Sequence, residues 1–250
     1  MFHSFFQKRT VSSDTKIVML ILDGLGGLAR EPGGKTELET ACKPNLDWLA
    51  SQSALGLTVP IGPGITTGSG PGHLAIFGYD PIQYEIGRGA LEALGVDFDL
   101  QPDDIAARGN FCTVDEKGIL LDRRAGRLPT EQSSRLVDLL RTIRVEGMEI
   151  HIEVVKEHRF AVILRGTGLG SALTDTDPLK VGVAPIEVRG GDAASETTAG
   201  LINKFIRQAR RILANQSPAN MLLLRGFDRL PKVPPYSEFF HLHAASIAIN

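Results

Sequence analysis

Cysteine is scarce in this chain. Cys42 and Cys112 are the two it has, and they form no C-x-x-C. That excludes a disulfide framework and makes a reducing, cytoplasmic setting the default. Excess charge is lacking too. Basic residues number 27 and acidic residues 29, for a formal net charge of −2, so nothing in the charge balance points to nucleic acid, where a basic patch is expected. No apolar run reaches the ~18 residues that a membrane span needs. Residues 1–15 have no apolar core of the signal-peptide kind. They read as a loose N-terminal arm, with a transit segment as the alternative because they are basic and contain serine before Asp14. Internal repeats are absent. What the chain does have is 42% hydrophobic residues over 250 positions, enough for one large domain or two small ones.

Glycine is concentrated in one place. Gly64, Gly68, Gly70 and Gly72 crowd the run Gly-Ile-Thr-Thr-Gly-Ser-Gly-Pro-Gly-His73, too many for the interior of a helix or strand. Pro71 suits the start of a short helix carrying Leu74, Ile76 and Phe77, with Gly78 as its stop. Ser69 therefore falls at a helix N-terminus, where free N–H groups and the helix dipole favour an anion. Its hydroxyl is placed to bind or carry phosphate. A structural turn with a capping serine is the other reading.

Lys16–Leu22 is a continuous apolar run ending at Asp23-Gly24, which predicts a strand buried on both faces. Asp23 then sits at the carboxyl end of that strand, where open α/β sheets bind ligands, or serves as a turn aspartate bonding its own backbone. Pro44 opens a helix with Leu46, Trp48 and Leu49, and residues 57–61 suggest a second strand. Further on, the pattern predicts a helix over 87–94. It predicts strands at 105–114, 119–121, 149–155, 160–164 and 221–224, and a hairpin at Asp115–Gly118. Helices are predicted from Thr130 and from Ser195. Residues 166–194 read as loop, and residues 244–249 as a final strand. The basic run Lys204, Arg207, Arg210 and Arg211 reads as a solvated helix face.

Several motifs occur in the order found in one family: Ile-Leu-Asp23-Gly, Gly-Ser69-Gly-Pro-Gly-His73-Leu-Ala-Ile-Phe-Gly-Tyr-Asp-Pro81, Arg108-Gly-Asn-Phe-Cys-Thr-Val-Asp115, Asp122-Arg-Arg-Ala-Gly-Arg127 and Thr174-Asp-Thr-Asp-Pro178. From about residue 16 to 250 the chain resembles the archaeal-type, cofactor-independent phosphoglycerate mutases of the alkaline phosphatase superfamily. The resemblance implies an α/β fold: an alkaline-phosphatase-like doubly wound sheet, incomplete here, with an inserted α/β cap. The metal-binding domain would take residues 16–84 and 236–250, the cap 85–230 and a linker 231–235.

By the same resemblance, the chain interconverts 3-phosphoglycerate and 2-phosphoglycerate through a phosphoserine. Ser69 is the expected nucleophile and a metal ligand, and Asp23 a further ligand. Two divalent ions, Mn, Mg or Zn, serve the family. A free serine hydroxyl is a poor nucleophile without such activation. Cap arginines bind phosphate and carboxylate bidentately; the candidates are Arg123, Arg124, Arg127, Arg165 and Arg225. His73 is expected to orient the loop. Against the family pattern the sequence stops at Asn250, before the remaining aspartate and histidine ligands and a lysine. None of its six histidines stands in an Asp-x-x-x-His or Asp-His pattern. The expectation is a C-terminally truncated chain with part of one metal site and little activity alone, prone to self-association or in need of a complementing C-terminal segment. The alternatives are another phosphotransferase or phosphatase of the superfamily, or a non-catalytic remnant that binds phosphorylated acids or a partner protein.

Overall fold

The computed structural model describes residue 11 and residues 13–22, 24–65 and 67–247. In chain order the elements are α1 (Glu37–Thr40), α2 (Pro44–Ser51), α3 (Ser69–Ile76), α4 (Arg88–Gly95), β1 (Ile105–Val114), β2 (Leu120–Asp122), α5 (Thr130–Leu140), β3 (Glu149–Lys156), β4 (Arg159–Arg165), α6 (Ala193–Leu213), β5 (Met221–Asp228) and α7 (Tyr236–Phe240). They fall into two units, Met1–Val59 with Pro234–Asn250, and Pro60–Val233. No described helix is long and apolar enough to cross a membrane.

The smaller unit is helical where it is regular. A capping box of Thr36 and Glu39 starts α1, and Pro44 at N1 starts α2. The strand predicted over Lys16–Leu22 is not formed. Ile17, Val18 and Leu20 are 78%, 90% and 74% exposed, and no described segment pairs with them. A strand exists only through a ladder with a neighbour, so an apolar run by itself does not make one. The same holds for the strands predicted at 57–61 and 244–249: residues 57–61 and 244–247 are irregular, and residues 248–249 lie outside the described residues.

The larger unit is built on β1. It pairs with β4 on one side and β5 on the other, β3 lies beyond β4, and β2 returns through the Asp115–Gly118 turn; every pairing is antiparallel. Alternation along a strand sends Ile105, Ala107 and Phe111 to one face, where Phe160, Val162, Leu164, Leu222 and Leu224 join them. Helices α5 and α6 cover that face with Leu136, Leu140, Ile202, Phe205, Ala209 and Leu213. Phe111 and Phe160 lie with ring centroids 4.6 Å apart at its centre. On the opposite face, α4 packs Ala90 and Ala93 against Ala106, Ala161 and Ile163. Gly89 makes this possible: a Cβ there would stand 2.1 Å from the Ala106 carbonyl oxygen. The larger unit is thus an α/β layer structure with an antiparallel sheet. The elements predicted between 87 and 224 are present, and α6 begins at Ala193 with Asp192 as its cap, not at Ser195.

Candidate functional site

The α4-side face of the sheet carries an unusual concentration of arginine. Alternation puts Arg108 on this face of β1, and the β1–β5 register sets it directly opposite Arg225. Like charges facing each other across a ladder are destabilising, so the pair needs compensation. Glu92 of α4 lies 3.0 Å from Arg108 Nε and 3.7 Å from Arg159 Nη1. Asp177, with a fully buried side chain, accepts from Arg123 Nε at 2.9 Å and Nη2 at 2.7 Å, and from Arg225 Nη1 at 3.4 Å. Four guanidiniums share two carboxylates in these ion pairs, and Asp175 adds a further negative charge near Arg225. Exposed Arg88, at the first position of α4, adds its field to Arg108 and Arg225.

Buried nitrogens here have capacity to spare. Arg225 Nε makes no hydrogen bond, Arg108 Nε has only its ion pair with Glu92, and Asn110 Oδ1 and His158 Nδ1 are also without a hydrogen bond. Buried polar groups normally have partners, so Arg225 Nε is an unused donor inside an arginine-rich cluster. Burial lowers the affinity of Arg108 for its proton; Glu92 opposes this, and Arg159, Arg88 and Arg225 reinforce it. Arg225 is lowered by burial first and then by Arg88. Both stay charged near neutrality, because a guanidinium starts from about 12.5 or above. Burial alone would raise Asp177, but the Arg123 hydrogen bonds and the Leu179 N–H hold it below the ordinary carboxylate range. His158 is pushed down to about 4 by burial, with Arg159, Arg124 and Arg108 adding to the effect against Glu157. It is neutral at physiological pH.

The segment Thr174–Pro178 positions the cluster. The Thr176 N–H donates to the Leu224 carbonyl, the Leu224 N–H donates to Thr176 Oγ1, and Asp175 accepts from the Gly226 N–H at 2.7 Å. These bonds dock the segment on β5 and bring Asp177 beneath Arg225. Arg123 arrives on a different loop. Asp122 accepts from the Arg124 and Gly126 N–H groups, and Ala125, Gly126 and Arg127 all adopt left-handed φ, at 44°, 64° and 54°. Non-glycine residues in that region are costly and persist where surroundings enforce them, often at functional sites.

Of the five arginines expected from the sequence, the structure brings Arg123 and Arg225 together on Asp177. Arg124 and Arg127 are exposed on the same loop as Arg123. Arg165 is held elsewhere, bidentate on buried Asp104 at 2.8 and 2.6 Å and over the Phe98 ring. Sequence reasoning missed Arg88, Glu92, Arg108, Arg159 and Asp177 as site residues. A signal existed for two of them. Period two puts Arg108 opposite in face to Phe111, and Asp177 belongs to a singled-out motif.

Ser69 is the first residue of α3 and is exposed, preceded by Gly68 at φ 65°. His73 Nδ1 donates to the Ser69 carbonyl at 2.7 Å, so His73 braces the turn that presents the hydroxyl. Beside it, a Cβ on Gly70 would lie 3.2 Å from the Ile86 carbonyl, placing the start of α3 against the segment that leads into α4. Asp23 lies outside the described residues. Among the described residues no three of His, Cys, Asp and Glu converge as a metal site.

The family model described as 2,3-bisphosphoglycerate-independent phosphoglycerate mutase matches residues 50–220. The chain belongs to this family. The span that matches this phosphoglycerate mutase family includes Ser69 and most of the arginine cluster. A Thermus thermophilus relative named "probable 2,3-bisphosphoglycerate-independent phosphoglycerate mutase" is 51% identical over 94% of this chain and 58% of its own length. A Thermotoga neapolitana relative of the same name is 47% identical over 98% of the chain and 61% of its own length. The chain therefore spans about three-fifths of the curated relatives it matches. Among solved structures, a cofactor-independent phosphoglycerate mutase from Thermoplasma acidophilum is similar with a TM-score of 0.56 and 33% identity, covering 67% of this chain and 48% of that one. A Pyrococcus horikoshii protein is similar with a TM-score of 0.65 and 31% identity, covering 87% and 52%.

Proposed function

We propose that this chain binds 3-phosphoglycerate and 2-phosphoglycerate on the arginine face and takes part in their interconversion, an isomerase reaction of glycolysis and gluconeogenesis. The observation that carries the reading is Arg225 opposite Arg108 on the β1–β5 ladder, with the buried Arg225 Nε free of any hydrogen bond, in a cluster where four guanidiniums share two carboxylates. A substrate with a phosphate and a carboxylate supplies further negative charge, and guanidiniums hold both groups through paired N–H bonds. Arg123 and Arg225 are the proposed primary contacts, fixed by Asp177, with Arg108 beside them. Arg124, Arg127 and Arg165 are outer candidates, the last one already engaged by Asp104.

Ser69 is the proposed nucleophile. Its oxygen would take the phosphoryl group from the 3-oxygen of the substrate and return it to the 2-hydroxyl. The N–H groups at the start of α3 suit the phosphoserine between these steps. Divalent ions would supply charge at the phosphoryl oxygens and a more acidic hydroxyl, with Asp23 and Ser69 as this chain's contribution to one metal site. The described residues do not build a two-ion centre. The proposed frame is a doubly wound metal-binding domain of residues 16–84 and 236–250 with residues 85–230 as its cap. A cytoplasmic location belongs to the same reading. A second reading is that the chain binds phosphorylated acids without turning them over.

The test incubates residues 1–250 with 3-phosphoglycerate and excess Mn²⁺, and reads 2-phosphoglycerate through an enolase couple. In parallel, calorimetry measures 3-phosphoglycerate binding by the chain and by Arg225→Ala. Binding weakened about tenfold or more in the variant supports the substrate face, and equal binding by both overturns it. Turnover of ~1–10³ s⁻¹ that is lost in Ser69→Ala identifies the mutase in this chain alone. Binding without turnover identifies the binding reading, or a need for ligands from a further segment, which adding that segment resolves.

A further inference from the structure

A second recess lies behind the same loop, away from the arginine face. It is an open cavity of about 270 Å³ between α6, the Asp115–Gly118 turn, residues 184–187 and the start of β5. Val114, Ile206, Met221 and Leu222 form an apolar floor. Lys117, Arg207 and Arg210 stand around it, with Glu187 as the one acidic lining residue. Asn203, Arg207 and Arg210 follow each other at i, i+4 and i+7, so they share one face of α6. That face borders the cavity, and its Arg207 and Arg210 are exposed at the cavity rim. None of the three cations makes an ion pair or a side-chain hydrogen bond among the described residues. Arg210 reaches back over the turn, where a Cβ on Gly118 would stand 3.1 Å from its Nη2. By contrast, Arg123 is held by Asp177 and Arg165 by Asp104.

We propose that this cavity is a binding site for a small organic anion with an apolar body and a single phosphate or carboxylate group. The apolar body would cover the floor, and the anionic group would lie between Arg207, Arg210 and Lys117. Pockets that bind small molecules combine such an apolar lining with a few convergent polar groups, and this one lies just below their usual range of about 300–1,000 Å³, which suits a small ligand. Its occupant would also reach the arginine face. Thr176 and Ile186 both line the cavity, and the Ile186 N–H donates to the Thr176 carbonyl at 2.9 Å. The next residue, Asp177, holds Arg123 and Arg225. A ligand that presses on or braces Thr176 therefore shifts or fixes the carboxylate beneath those arginines, which makes the cavity a regulatory site.

The test titrates ¹⁵N-labelled residues 1–250 with phenyl phosphate and, separately, with inorganic phosphate, following backbone amide shifts. Saturable shifts at Gly118, Ile186, Arg207 and Leu222 are expected with phenyl phosphate, at a Kd of about 1 mM or tighter. Inorganic phosphate should bind there at least about tenfold more weakly, because it cannot use the floor. In the double variant Arg207→Gln and Arg210→Gln, both on the exposed side of α6 and expected to fold, the shifts should require about tenfold more ligand. Arg207→Lys with Arg210→Lys should restore them. Shifts confined to residues around Arg108 and Arg225 would overturn the site. So would unchanged affinity in the glutamine variant, or equal affinity for inorganic phosphate.

Discussion

Single side chains in the arginine face act through charge that is balanced locally and incompletely. Asp177 is the pivot: it is buried, it holds Arg123 and Arg225, and Arg108 lies opposite Arg225 in the β1–β5 register. Asp177→Asn should cost the larger unit about 3–5 kcal/mol, the penalty for breaking a buried pair and leaving its cations unmatched, read as a lower urea midpoint at unchanged slope. It should also weaken 3-phosphoglycerate binding, because Arg123 and Arg225 lose their common anchor. His158 makes a separate prediction about pH. Its folded-state value is depressed from 6.5 to about 4, first by burial. The unfolded chain therefore takes up a proton that the folded chain refuses. Stability is full above about pH 6.5 and falls between there and pH 4, by on the order of 3 kcal/mol. Replacing His158 with Gln should flatten that limb of a denaturation-midpoint profile. The acid limb from Asp177 and Asp104, both held below the usual carboxylate range, should remain, appearing as pH falls below about 3.9.

Among the elements, α4 links the sheet to the site. Its small residues Gly89, Ala90 and Ala93 let it lie flat on β1 and β4, and its Glu92 then reaches Arg108 and Arg159. Gly89→Ala should cost about 1–3 kcal/mol, because the new Cβ meets backbone atoms of Ala106 and Ala107 and not a yielding side chain. Lifting α4 should also free Arg108 from Glu92, so binding of 3-phosphoglycerate should change along with the urea midpoint. On the other face, α6 packs seven buried residues inward, Phe205 among the largest. Phe205→Ala should cost about 3–5 kcal/mol and leave the register of Arg108 with Arg225 intact. Substrate binding should then survive at temperatures where the variant is folded.

The molecule is uneven as a whole. The larger unit contains the sheet and its buried layers, while in the smaller unit residues 17–22 are exposed and none of the described residues is buried. Amide hydrogens of residues 17–22 should exchange within the dead time of a hydrogen-exchange experiment, and those of β1 and β4 should be the slowest. Sedimentation should show concentration-dependent association, since exposed apolar runs of this kind invite contacts between copies; Val18→Lys with Leu20→Lys should reduce it. The sequence by itself determined the elements of the larger unit, because hydrophobic periodicity, glycine stops and proline starts act over a few residues. The alternation of 105–114 places the strand, and the apolar stripe Ile202, Phe205, Ala209 makes the helix. It also determined the family, through the ordered motifs around Ser69, Arg108, Arg123 and Asp177. Only the tertiary structure decided which arginines work together. Register is a property of pairs of strands, so nothing local to Arg108 or Arg225 says that they face each other, or that Arg165 is taken by Asp104. It decided the fate of the apolar run at 17–22 for the same reason. A strand needs a partner, and the pattern of one segment does not contain the other.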